Sequence, residues 1–127
     1  MTTLGQVIGI GLAGAFGTLA RYGVNQLSGQ LFGRHPWGTV IVNLLGCLLF
    51  GFLAALFTAK RLPIQYQVIL LTGFFGGFTT FSAYAFEIAD FLEHNRYLAA
   101  MGHFSLQNIG GVLAVSAGLV FGRYLAA

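Results

Sequence analysis

Four stretches of this chain are apolar for about as long as a bilayer is thick, and nearly everything polar falls between them. A spanning helix needs roughly 20 mostly apolar residues. Residues 4–27, 37–57, 66–91 and 97–124 each reach that length, so the pattern predicts four transmembrane helices. The connections are short and hold the punctuation: 29–36 with Arg34, 59–63 with Lys60 and Arg61, and 93–96. Residues 1–127 are therefore expected to form a single four-helix transmembrane domain of the all-α class, with no room for a soluble domain.

Composition narrows the solvent. A soluble domain carries about a quarter of its residues charged, whereas here the share is 7%, with 57% hydrophobic residues and a mean hydropathy of +0.81. Lipid is the expected surroundings. The net charge of +3 does not point to nucleic acid, because Arg21, Arg34, Lys60, Arg61, Arg96 and Arg123 are dispersed as flanks of apolar segments. The single cysteine, Cys47, lies in an apolar run, where it can form no intrachain disulfide and reads as core packing. Residues 1–6 lack the basic start of a cleavable leader, so the first apolar segment is expected to stay in the mature protein. Four spans put both termini on one side with Lys60, Arg61 and Arg123, against Arg34, Arg96 and a snorkelling Arg21 on the other. That near balance gives no decisive orientation. A chain inserting both ways would show it, and so would one whose topology is fixed weakly or by other means.

The 19 glycines need a reason, and in lipid that reason is close helix approach. Gly11, Gly14 and Gly17 recur every three residues, Gly118 and Gly122 every four, and Gly110 and Gly111 are adjacent. These read as packing stripes, and four spans enclose so little that tight self-association is expected.

The third span holds the most unusual sequence, Gly73-Phe74-Phe75-Gly76-Gly77-Phe78-Thr79-Thr80-Phe81-Ser82. Three glycines followed by two threonines weaken a helix where freed backbone groups have no water to turn to. A broken helix is expected at residues 76–80. Such breaks offer carbonyls to cations and N–H groups to anions, while packing kinks produce the same pattern. Phe81 and Tyr84, three residues apart, share a helical face. Their positive ring edges suit an anion, although aromatic residues in spans more often face lipid or core.

Asn43 puts an amide with two N–H donors inside the second span, either for an ion or as interhelical glue. Ser105, Asn108 and Ser116 fall near one face of the fourth span, and Thr80 and Ser82 would extend a polar track. Serines and threonines in spans also bond to their own backbone. Glu87 is the deepest of the three acids and the one to weigh as a pore-side group, beside a plain helix-end reading. Arg21 is the only base well inside a span; it snorkels or sits at a pore mouth. His35 and His94 lie in connections and His103 stands alone, so all three read as surface or interface residues with no metal-ligand spacing. No nucleophile is paired with a base, so an enzyme is not expected.

Together these motifs resemble the Fluc (CrcB) fluoride channels: Gly-Gly-Phe-Thr-Thr-Phe-Ser at 76–82 followed by Glu87, Gly38-Thr39 before Asn43, and Leu19-Ala20-Arg21 in the first span. The resemblance covers essentially the whole length in the same order. It implies an antiparallel, dual-topology homodimer in the cell (inner) membrane, with two pores that pass fluoride out of the cytoplasm. It also implies a central structural Na⁺ on the backbone carbonyls of Gly76 and Thr79. By the same resemblance Asn43, Phe81, Ser82, Ser116, Glu87 and Arg21 belong to the ion pathway, which Thr80 would extend from its place beside Ser82. The sequence departs from the family at Tyr84, where a second phenylalanine is usual, and at Ala83, Ala85 and Gly111, where hydroxyl residues are common. Tyrosine keeps the ring edge and adds a hydroxyl, while the thinner polar track bears on rate. Two other classes fit the length: a dual-topology proton-coupled multidrug exporter, whose first span would need an acid this one lacks, and a non-transporting scaffold supported only by the glycines.

Overall fold

The computed structural model describes residues 2–33 and 36–127; Arg34 and His35, assigned above to the first connection, lie outside the described residues. Every regular element among them is helical. Helix α1 covers Thr3–Phe32 and α2 covers Trp37–Thr58. The third span is composite: a 3₁₀ turn at Ile64–Tyr66, a π-helical stretch at Ile69–Phe74, a single α turn α3 at Phe75–Phe78, and α4 at Phe81–Glu93. Helix α5, Tyr97–Ala126, closes the chain. All four spans are long and apolar enough to cross a membrane, which makes this a multi-pass membrane protein.

The spans start where expected to within about a turn and run slightly longer, because the apolar runs end before the helix-stopping geometry does. Gly33, at φ 74°, ends α1 in a conformation that an L side chain resists. Helices α2 and α4 stop in the same way as each other, with Lys60 and Asn95 both at φ 56°. In each case the next N–H reaches back over a full turn, Arg61 to Leu56 at 2.9 Å and Arg96 to Phe91 at 2.8 Å. This double closure satisfies the last carbonyls without a glycine. Arg61 also donates through Nε and Nη2 to the Ala126 carbonyl, tying this turn to the end of α5.

Two helix pairs are brought together backbone to backbone. Helix α1 lies along the first half of the third span, where a Cβ on Gly17 would strike the Phe74 carbonyl and one on Gly77 the Gly14 carbonyl. Helices α2 and α5 meet likewise: a Cβ on Gly51 would strike the Val115 carbonyl, and one on Gly118 the Leu48 carbonyl. A Cβ on Gly122 would come within 2.7 Å of the Ala55 Cβ and the Phe52 carbonyl, a somewhat looser approach. The stripes predicted at Gly14, Gly17, Gly118 and Gly122 are thus used inside the subunit, whereas Gly11 faces open space. The small apolar core is Val42, Phe75 and Phe78, flanked by Val24, Leu53, Leu71 and Phe74. It anchors the half of the third span that precedes the break.

Candidate functional site

The break falls at Thr79 and Thr80, both extended (ψ 159° and 116°), while Gly76 and Gly77 stay helical. The expected interruption is present, and the threonines rather than the glycines form it. The glycines shape the approach of α1; the threonines turn their backbone groups sideways, where lipid offers nothing to bond and each unpaired group costs several kcal/mol.

Asn43 meets that demand. Its Oδ1 accepts from the Thr80 N–H at 2.8 Å, and its Nδ2 donates to the Thr80 carbonyl at 3.0 Å. One side-chain amide thus pairs with the broken backbone much as a neighbouring strand would. The second Nδ2 hydrogen goes to Gln107 Oε1 at 2.6 Å, so both donors expected of Asn43 are engaged within the subunit. Thr80 Oγ1 caps α4 by accepting from the Ala83 N–H, and it lies 3.3 Å from Ser82 Oγ.

These bonds also release two carbonyls. The Thr80 N–H that would close a helical turn on Gly76 goes to Asn43, and the Ala83 N–H that would close one on Thr79 goes to Thr80 Oγ1. Arg21, on α1, turns inward and donates to the Thr79 carbonyl at 3.4 Å, the long limit of a hydrogen bond. Carbonyl oxygens of this kind suit a hard cation. Among the described residues, His, Cys, Asp and Glu side chains form no group of three that would bind a metal instead.

Beside the break lies a groove of about 520 Å³. Asn43, Thr80, Phe81, Tyr84, Gln107 and Asn108 supply its polar and aromatic part, and Cys47, Phe50 and Phe75 are among its apolar wall. Gly76 and Thr79 also reach it. The Phe81 ring is 77% exposed and stands 5.5 Å from the Tyr84 ring, so the expected pair exists with one ring outside and one beneath. Tyr84 is buried, and its hydroxyl accepts from Asn108 Nδ2 at 2.6 Å.

Behind the groove runs a column of polar side chains that the pattern of the chain did not reveal. Thr39 Oγ1 donates to Glu87 Oε1, and Glu87 Oε2 lies 2.8 Å from His103 Nε2. Gln107 Nε2 stands 2.9 Å from the same imidazole nitrogen, and Gln107 Oε1 leads back to Asn43. His103 is 4% exposed, so the surface or interface reading is wrong. It is a buried partner of an acid, packed between the Tyr84 and Phe91 rings. The signal was present as spacing: His103, Gln107 and Gly111 recur every four residues on α5, and Thr39 precedes Asn43 by four on α2. Glu87 therefore faces the interior and not the helix end. Ser116 is not brought to the groove; its hydroxyl donates to the Val112 carbonyl of its own helix at 2.8 Å.

Residues 8–119 match the family model described as CrcB-like protein, Camphor Resistance (CrcB). A protein of Solidesulfovibrio magneticus named fluoride-specific ion channel FluC is 47% identical over 118 residues, covering 91% of this chain and 94% of its own. Proteins of the same name from Nitrosococcus oceani and Chloroflexus aurantiacus are 45% and 37% identical, covering 91% and 95% of this chain and 94% and 98% of theirs.

Proposed function

The chain belongs to the CrcB family, and from that premise we propose that it is a fluoride-selective passive channel that lets cytoplasmic fluoride leave the cell. The observation that carries this reading is the name shared by relatives up to 47% identical over nearly the whole chain. The site supports it chemically. Fluoride is small and tightly hydrated, so a pore must replace its water with donors, and a narrow bore then excludes chloride. The donors in the groove are the Asn43 amide, the Thr80 hydroxyl and the edges of Phe81 and Tyr84, with the Ser82 hydroxyl next to Thr80 rather than in the groove lining.

Asn43 holds neutral partners until an ion arrives. A hydrogen bond to a charged acceptor is worth about 1.5–3 kcal/mol against about 0.5–1.5 for a neutral one. An anion in the groove therefore competes well for the hydrogen now on Gln107. Arg21 draws anions toward the break, and Glu87 borders the pathway from behind. Ser116 contributes only by leaving the Val112 carbonyl.

The finer reading is an antiparallel homodimer with two pores, in which the exposed groove of one subunit is completed by the other. A structural Na⁺ fits the freed carbonyls of Gly76 and Thr79, with Gly76 the freer donor because Arg21 reaches Thr79. When bound, that ion would supply fixed positive potential beside the anion path. Acid outside a cell drives neutral HF inward, where it dissociates; a passive route for the trapped anion then suffices for export.

The decisive experiment is fluoride release from liposomes loaded with potassium fluoride, started with valinomycin and read on a fluoride electrode beside a chloride control. Fast fluoride release with negligible chloride release supports the channel. No release from a folded, reconstituted protein removes the proposal.

A further inference from the structure

One hydrogen bond beside the groove has its direction fixed by a backbone carbonyl. Asn108 Nδ2 lies 2.8 Å from the Phe104 carbonyl oxygen and 2.6 Å from the Tyr84 hydroxyl. A carbonyl oxygen only accepts, so the Asn108 amide must turn its nitrogen, and not its oxygen, to that point. One hydrogen of the nitrogen goes to Phe104 and the other lies toward the phenol. The Tyr84 oxygen is therefore the acceptor in this pair, and its own hydrogen has to point elsewhere.

Few acceptors remain for that hydrogen. Tyr84 is buried and lines the groove together with Asn108, Asn43 and Phe81. Among the described residues its hydroxyl makes no second hydrogen bond. The acceptors that other groove residues offer are engaged: Gln107 Oε1 and the Thr80 carbonyl both accept from Asn43, and Thr80 Oγ1 accepts from the Ala83 N–H. A buried hydroxyl hydrogen without a partner is costly, and a visiting anion in the groove would supply one.

We infer that the Tyr84 O–H is an anion donor aimed into the groove, that Asn108 is the positioning residue that aims it, and that together they tighten the hold on fluoride. The inference rests on the fluoride reading above. Fluoride is the smallest and most basic halide, so it gains more than chloride does from a directed O–H. Such a charge-assisted bond is roughly twice as strong as a neutral one, and it adds to what the ring edge offers. A conducting site must also let its ion go. The phenol therefore lowers the fluoride concentration that half-saturates the current and also lowers the maximal current.

Single-channel currents in planar bilayers, followed against fluoride concentration, separate those two quantities. Tyr84→Phe keeps the ring and should raise the half-saturating concentration about five- to tenfold, while the maximal current holds or rises. Asn108→Leu leaves the phenol unaimed and should shift half-saturation the same way by less. Added to Tyr84→Phe it should shift nothing further, since its only route to the ion is then gone. A merely structural Asn108 would lower the current alike in both backgrounds, and that result overturns its positioning role. Should Asn108→Leu fail to fold, Asn108→Ala takes its place. Half-saturation that is equal in wild type and Tyr84→Phe overturns the whole inference. A second measurement needs no conduction: in the ultraviolet difference spectrum of wild type minus Tyr84→Phe in detergent, fluoride should shift the phenol band to the red and chloride should not. A wild type that passes no fluoride but shows this shift would defeat the channel reading and leave the donor where it is placed. Conduction without the shift would do the reverse.

Discussion

The two halves of the third span are held by opposite means. Before the break, Ile69–Phe78 is fixed by shape: Gly73 and Gly77 bring its backbone against α1, and Phe75 and Phe78 fill the core around Val42. After it, Phe81–Glu93 is held by polarity, through Asn43 on Thr80, Asn108 on Tyr84 and His103 on Glu87. In lipid the first kind of contact is available to any close-fitting surface, since there is no hydrophobic drive between helices. The second exists only where a specific acceptor meets a specific donor. A membrane helix can therefore be interrupted without coming apart, provided one side of the break is clamped by geometry and the other by hydrogen bonds.

The largest disturbance of that division is expected from Asn43→Leu, which leaves the Thr80 N–H and carbonyl unpaired. A loss of about 2–5 kcal/mol follows from two buried unsatisfied groups, read as a lower melting temperature in detergent, with fluoride release abolished. If the melt is unchanged, polarity does not hold the second half. Gly17→Ala attacks the other half and should cost about 1–3 kcal/mol through overpacking against the Phe74 carbonyl. Gly11→Ala, which enters open space in the subunit, is its control in the same melt. Tyr84→Phe removes one hydroxyl while keeping the ring; it should cost about 1 kcal/mol or less and leave fluoride release standing. Loss of release there would mean that the phenol, and not the ring edge, serves the ion. Smallest of all, Lys60→Gly relieves a left-handed residue outside both halves and should raise stability by about 1 kcal/mol or less.

Much of the fold is legible in the order of residues because lipid imposes a single length and a single periodicity. The four spans follow from that, and the interruption near Thr79 from the glycines and threonines that weaken the third of them. The glycine stripes were legible only in part: steps of three residues rotate by about 300° on a helix, so a row drifts by about 60° per step. Gly14 and Gly17 stay on the contact and Gly11 leaves it. Asn43, Phe81 and Tyr84 stood out because polar and aromatic residues are conspicuous near a break. His103 and Gln107 did not, since hydropathy says nothing about which way a lone polar side chain turns. Ser116 misled for a related reason, as every helical serine has an acceptor one turn behind it.

The clamp on the break also sets an order of events during synthesis. Asn43 lies 37 residues upstream of Thr80, so it leaves the ribosome first. When the interrupted third span enters the bilayer, the amide that satisfies it is already there on α2, and the exposed backbone need not wait for a later helix. Gln107 lies on the last span to be made, so it follows both partners of that join and adds a second bond to Asn43. A break clamped by an earlier segment is thus one that a growing chain can insert without passing through its most exposed state.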